Sequence, residues 1–366
     1  MDPKMITISS VSLRGREREY VNDCLDRGQL SWHGEYVTRF EEAFARFCNV
    51  KHAVAVMNGT AAMHLALRAA GVRPGDDVYL PALTYIATAN AVRYCGATPV
   101  FCDVDLYTWC LDPHDVRRKI ADRRAATTHR GTILPVHLYG VPAAMQELRA
   151  IATTYGFNLI EDAAEAHGAT LGSARAGALG DAAAFSFFAN KIMTTGEGGM
   201  VTTDDDGIAH IARHLRGQSQ TERRFYHDSV GFNYRMTNIQ AAIGLAQLEV
   251  FGDLAAMRQA VSDRYRRGLP DFITQRIPRD TIGADWLYSV LVPTGISRDL
   301  VIIRLREAGI ETRPVFVPLT DMPPYYATTA PNTRLIAHRG ISLPTHPELT
   351  ADDVDRVIDE FTKACR

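Results

Sequence analysis

The strongest constraint on how this chain folds is the stretch Phe185-Ser-Phe-Phe-Ala-Asn-Lys191-Ile-Met-Thr-Thr-Gly-Glu-Gly-Gly-Met200. The apolar run at 182–188 reads as a buried strand, breaks at Ala189-Asn190-Lys191, and resumes after Gly196-Glu-Gly-Gly199 as a second strand-like run at 199–203. One lysine is thereby set between two buried strands. Desolvating its ammonium is costly unless the pKa falls or the amine is used covalently. That is the setting of a Schiff-base lysine.

On either side of this stretch, short apolar runs alternate with helical periodicity, the pattern of an α/β fold. The spacing predicts helices at 13–27 and 36–48, joined by a glycine-flanked loop at 28–34 in which Trp32 and His33 either touch a substrate or simply pack. A strand at 52–57 turns through Asn58-Gly-Thr-Ala-Ala62 into a helix at 63–70. Such a turn offers free N–H groups and a positive dipole end to an anion, although Asn-Gly-Thr is also an ordinary helix cap. Further strands are expected at 78–81, 99–103, 131–139 and 158–162, with helices at 89–95, 113–121 and 142–155. Tyr85 falls at a strand-to-helix junction, as a flat platform for a flat ring or as core packing. Asp162 ends its strand at the carboxyl edge, where open α/β sheets place ligands; a helix cap is the plainer alternative. His137 and Tyr139, at the end of the 131–139 strand, read as supporting a site from behind its contact residues or as purely structural. After a helix at 207–215, one from 239 runs past 255 toward a smaller α/β region with elements at 288–292, 301–308, 311–318 and 352–363.

A chain of 366 residues suggests two domains, divided here at 1–250 and 251–366. The formal charge of −2, without a Lys/Arg cluster interleaved with aromatics, argues against nucleic acid as a partner. The six cysteines have neither CxxC nor metal-ligand spacing and read as thiols of a reducing compartment. The opening Met1-Asp-Pro-Lys-Met-Ile-Thr-Ile lacks a leader pattern, and no run approaches the roughly 18 apolar residues of a membrane span. A cytosolic protein is expected.

The motif Phe-Ser-Phe-Phe-(x)2-Lys-(x)4-Gly-Glu-Gly-Gly resembles the lysine signature of the DegT/DnrJ/EryC1/StrS sugar aminotransferases, and similar blocks recur from Gly28 to Pro344. The resemblance implies the aspartate-aminotransferase-like fold, fold type I: a mostly parallel seven-stranded sheet in a large domain and a smaller α/β C-terminal domain. It implies pyridoxal 5'-phosphate as cofactor, with Lys191 as the covalent lysine and Asp162 on the pyridine nitrogen. Tyr85 would stack on the ring, and Gly59, Thr60, Ala61 and Ser186 would hold the phosphate. Ser186 alone would read equally as a buried serine bonded to backbone. The block from Gly231 to Leu248 resembles a segment that crosses a homodimer interface, so Asn233 would meet the neighbour's phosphate. Where the family often has glutamine, this chain has Glu165, beside the expected position of the cofactor's phenolic oxygen. Two facing anions repel, so Glu165 is expected to be protonated or to turn to the substrate or an arginine. His167, Arg235 and Tyr325, with Trp32 and His33, are the candidate substrate contacts.

The reaction implied is amine transfer from glutamate, or glutamine, to a nucleotide-linked keto-deoxysugar. The lysine segment is most similar to the perosamine-synthase-like branch, which implies a GDP-linked 4-keto-6-deoxymannose. A 3-keto sugar or keto-cyclitol of an antibiotic pathway fits the same motifs, as does a catalytically silent cofactor-binding regulator. The family's sugar 3-dehydratases carry histidine in place of the lysine, and Lys191 argues against that branch.

Overall fold

The structure, a computed structural model, describes residues 5–124, 130–327 and 330–366. Residues 1–4 of the opening segment and residues 328–329 of the loop at 318–333 lie outside these.

The central sheet contains β1 (His52–Val56), β2 (Asp77–Pro81), β3 (Thr98–Cys102), β4 (Gly131–Ile133), β5 (Asn158–Asp162), β6 (Ala182–Ser186) and β7 (Gly199–Thr203). Its order is β1-β7-β6-β5-β4-β2-β3. All pairings from β6 to β3 are parallel, while β7 runs antiparallel to both of its neighbours. The mostly parallel seven-stranded sheet is thus present.

Helices cover both faces, as buried parallel strands require. On one face α1 (Glu17–Asp26) and α2 (Glu35–Cys48) pack with α8 (Asn238–Glu249); on the other lie α3 (Gly59–Ala69) and α4 (Ile86–Tyr94). The period of two along β6 decides which residues meet which face. Ala183, Phe185 and Phe187 join the cluster of Phe40 and Phe44, whereas Ala182 and Ala184 meet Ala62, Leu65 and Ala66 of α3. Ser186 continues the second series and so arrives at the first turn of α3. By the same alternation Ile160 and Asp162 of β5 face α3 and α4, and Glu161 faces the opposite side.

The second sheet is formed by β8 (Ile273–Thr274), β9 (Tyr288–Leu291), β10 (Arg313–Pro314) and β11 (Gly340–Leu343), in the order β8-β9-β11-β10. Its core takes side chains from α9 (Phe251–Gly268), α10 (Arg298–Glu307) and α12 (Ala351–Ala364). Ile6 belongs to this core and pairs in parallel with Ile310, and the Ile8 N–H donates to the Glu311 carboxylate at 3.0 Å. The opening segment therefore joins the two regions: Ile6 lies in the C-terminal core, and Ile8 packs in the core of the large sheet.

Three expectations need correction. The apolar run at 131–139 leaves the sheet after Ile133 because Pro135 has no N–H to donate; the chain continues as a single bridge, Val136 to Asp162, and one helical turn, Leu138–Gly140. The long helix from 239 breaks at Val250, where α8 and α9 meet at 64°. Phe251 packs there against Phe47, with ring centroids 4.7 Å apart. The loop at 318–333 and the chain after it hold two single turns and a further helix, α11 (Pro331–Arg339), none of which has a strong hydrophobic stripe in the sequence. Among the described residues no single helix is long and apolar enough to cross a membrane.

The loop at 28–34 is pinned by one buried amide. Asn238 accepts from the Tyr36 N–H at 2.9 Å and donates to the Gln29 carbonyl at 2.7 Å, while its own N–H reaches Leu30 and Ser31. A side chain on Gly34 would overlap that amide. Gly34→Ala is therefore expected to destabilise the fold by roughly 2–3 kcal/mol, through overpacking and broken buried hydrogen bonds. Thermal denaturation of the variant checks this.

Candidate active site

The carboxyl ends of β5 and β6, the first turns of α3 and α4, and the loop between β6 and β7 converge on one edge of the sheet. Lys191 lies in that loop. Its side chain is only 12% exposed, and its Nζ stands 3.6 Å from Oε1 of Glu165. On another side the Nζ lies 3.9 Å from the ring centroid of Trp286. Burial pulls the lysine pKa below its usual value, while the charges of Glu165 and Asp162 oppose the fall.

Asp162 is 8% exposed. It accepts from the Thr88 hydroxyl at 2.7 Å and from the Ala164 N–H at 3.2 Å, and Thr84 supports Thr88 at 3.1 Å. Burial nonetheless raises its pKa, because these donors are neutral and no cation is in direct contact with the carboxylate among the described residues. A buried carboxylate with satisfied lone pairs and an uncompensated charge is suited to a cationic N–H.

Glu165 turns neither to an arginine nor toward open solvent. One oxygen accepts from the Tyr139 N–H at 2.8 Å and the other faces Lys191. Desolvation pushes its pKa up to about 7, against the pull of Lys191. Its partner is thus the lysine, where the sequence pointed to the substrate or an arginine.

Two glycine motifs that are far apart in sequence form one surface. Gly199 is packed so closely under Asn58 and Gly59 that a side chain there would strike the Asn58 carbonyl, and a Cβ on Gly59 would stand 2.6 Å from that of Ser186. The backbone of the first turn of α3 is thereby brought against Ser186. Asn58 caps the helix by accepting from the Ala61 N–H at 2.8 Å, and the N–H groups of Gly59 and Thr60 meet no acceptor among the described residues. The cap reading and the anion-site reading are thus compatible.

Tyr85 precedes α4 and is 58% exposed, its ring 5.9 Å from that of Phe316; it is not a core residue. His167 is buried against Phe185 and Phe187, at ring separations of 5.3 and 5.6 Å. Burial holds its pKa down at about 3, so it is a neutral packing ring. Trp32 lies against His33 with ring centroids 3.6 Å apart and planes tilted by 31°, and its ring is 4.5 Å from the Arg235 guanidinium. Arg235 also bridges to Val56 at the end of β1, which brings this trio beside the α3 turn. Asn233 is exposed and bridges Gly217. Tyr325 is displaced from the expected set: it is 7% exposed, its ring packs on Phe101 and its hydroxyl donates to Asn90 at 2.6 Å. A tyrosine anchored in this way is packing, and the substrate role expected of it is withdrawn.

His137 is structural. Its Nδ1 accepts from the Ala143 N–H at 3.0 Å, so the proton is on Nε2, which donates to Glu161 at 3.0 Å. Residues missed in the sequence are Thr88, Trp286 and Arg258. Trp286 donates to the Asn190 carbonyl at 2.8 Å, and Arg258 reaches the carbonyls of Trp286, Thr345 and Lys191, clamping the lysine loop to the C-terminal region. Thr88 had a signal, since it falls on the first turn after Tyr85, four residues from Thr84. Trp286 and Arg258 had none short of tertiary structure.

The model of the DegT/DnrJ/EryC1/StrS aminotransferase family matches residues 11–362. The chain belongs to this family. As an aminotransferase it is 47% identical over 369 residues to the GDP-perosamine synthase of Caulobacter vibrioides, covering 98% of this chain and 97% of that one. It is 41% identical to the GDP-perosamine synthase of Escherichia coli O157:H7, covering 98% of each. Among solved structures it is similar to DesI, determined in the presence of its TDP-sugar product, with a TM-score of 0.90 and 34% identity over all of this aminotransferase and 94% of that chain.

Proposed function

We propose that this aminotransferase uses pyridoxal 5'-phosphate to move an amino group from glutamate, or glutamine, to a nucleotide-linked keto-deoxysugar resembling GDP-4-keto-6-deoxymannose. One observation carries the reading: a buried lysine amine, a buried carboxylate with no counter-cation in contact among the described residues, and a glycine cradle against Ser186 share one sheet edge. The relatives named as GDP-perosamine synthases support the choice of acceptor.

Each residue has a part. Lys191 is the covalent attachment point and, once freed, the base that takes a proton from the donor's α-carbon and the acid that returns it. Asp162 holds the ring nitrogen protonated. When bound, the cofactor supplies an electron-withdrawing ring that shares the electron pair left by the departing proton. Tyr85 offers its exposed face to that ring, Gly59, Thr60 and Ser186 hold the phosphate with N–H and hydroxyl donors, and Ala61 lines the same turn with its N–H on the Asn58 cap. Trp32, His33 and Arg235 lie beside that cradle and contact the acceptor. His167 excludes water behind the lysine.

We assign residues 1–250 to the cofactor-binding domain and 251–366 to a small domain that supplies Trp286, Phe316 and Arg313. The enzyme is read as a cytosolic homodimer in which Asn233 reaches the neighbouring phosphate. Phe225 and Val230, 78% and 86% exposed in the segment leading to Asn233, are the apolar surface such a pairing would cover.

The test is to load the enzyme with cofactor, add glutamate, remove it, and offer a panel of keto-sugar nucleotides. Amine is expected to appear on the GDP-linked 4-keto-6-deoxy sugar. Transfer only to a 3-keto sugar or keto-cyclitol would reject that acceptor, and failure to react with glutamate or glutamine would leave a silent cofactor-binding protein.

A further inference from the structure

We propose that Glu165 is the base that takes the proton from the Lys191 ammonium, so that the amine can attack a carbonyl, and returns it when the amine is set free. The proposal rests on Lys191 being the covalent lysine. An ammonium has no lone pair with which to attack, and this one is largely shut off from water that could carry its proton away.

The geometry singles out one acceptor. Glu165 Oε1 is 3.6 Å from the Nζ and is the carboxylate paired with it among the described residues. Asp162 is occupied by Thr88 and the Ala164 N–H. The far oxygen of Glu165 is fixed by the Tyr139 N–H, so the near one stays turned to the lysine. Tyr139 donates this bond from a left-handed backbone conformation, φ 54°, which a residue with a side chain seldom adopts. Its ring is held there between Trp286 and Phe316, at 6.1 and 5.4 Å, and its hydroxyl accepts from the Phe316 N–H at 3.2 Å. Trp286 also lies 3.9 Å from the Nζ. One aromatic stack thus places both ends of the proton path.

The transfer balances: an Nζ–H bond breaks, leaving its electron pair on nitrogen, and an Oε1–H bond forms. A buried ion pair becomes a buried neutral pair, and the site's net charge is unchanged. Burial depresses the lysine and raises the glutamate, which narrows the gap between their proton affinities. The groups facing the pair are Asp162 on the same segment, Tyr139 on the turn after β4, Cys110 before the helix Pro113–Arg124, His167 beside Phe185 and Phe187, and Arg313 on β10. Tyr139, Cys110 and His167 are neutral by burial at working pH, so Asp162 and Arg313 are the other charges the pair feels.

The test mixes the cofactor-free full-length chain with pyridoxal phosphate between about pH 6 and 9, following covalent attachment by absorbance and borohydride trapping. Relative to wild type, Glu165→Gln is expected to attach at least about tenfold more slowly near pH 7, with the deficit shrinking as hydroxide replaces the carboxylate at higher pH. Glu165→Asp should recover part of the rate. Pyridoxamine phosphate, which cannot attach to the lysine, serves as the binding control, and the Gln variant should hold it within about twofold of wild type. An unchanged attachment rate and pH profile in Glu165→Gln, or a matching loss of pyridoxamine phosphate affinity, would overturn the proposal while leaving the covalent lysine intact. If wild type itself is not trapped at Lys191, the site reading and this proposal fall together.

Discussion

Lys191→Ala is expected to fold normally and to transfer no measurable amine. Positioned acid–base catalysis alone contributes about 10²–10⁴-fold, and on the function proposed above the substitution removes the covalent attachment as well, so a loss of at least about 10⁴ in kcat is expected. The fold should survive because the lysine's charge is a burden on it: burial already disfavours the ammonium. Its loss also removes the attraction that lowers the Glu165 pKa, so the glutamate takes up a proton more readily instead of standing as an unpaired anion. A melting temperature at or above wild type, with kcat at background, is the expected pair of measurements. Ordinary turnover by this variant would remove Lys191 from the chemistry.

Asp162→Asn should give the second-largest loss and leave a different trace. Asparagine keeps the size of the side chain and can still accept from Thr88, but it cannot balance a protonated ring nitrogen. Unpairing a buried charge costs about 3–5 kcal/mol, which at 1.36 kcal/mol per decade is a loss of roughly 10²–10⁴ in kcat. The cofactor should still be trapped on Lys191, because the attachment chemistry does not use Asp162. Since burial raises the Asp162 pKa in the protein alone, removing the charge should also stabilise the cofactor-free chain slightly. Activity within a few-fold of wild type would show that another group serves the ring nitrogen.

Much of this site could be read from the sequence because its central residues are punctuation marks in local patterns. Asp162 ends an apolar run, Lys191 interrupts two, and Gly59 and Gly199 mark places where backbones touch. Local pattern also gives Ser186 its face, since alternation along β6 turns it toward α3. What stayed hidden comes from partners distant in the chain. Nothing near Trp286 indicates that its ring covers Lys191, and nothing near Arg258 indicates that it clamps the lysine loop. The break at Val250 was missed because the helical periodicity continues across it; the bend is imposed by packing at Phe251. Tyr325 misled for the opposite reason. A tyrosine in a proline-containing loop has the composition of a pocket rim, but its burial and its bond to Asn90 depend on α4, which no local window contains.

The pairing of Ile6 with Ile310 has a consequence for how the polypeptide is made. The segment around Ile6 finds this neighbour only after roughly three hundred more residues have been added. The large sheet can assemble meanwhile, but the C-terminal region cannot finish its own core without a piece synthesised long before it. Closing that core is then a lacing of an early segment between much later ones.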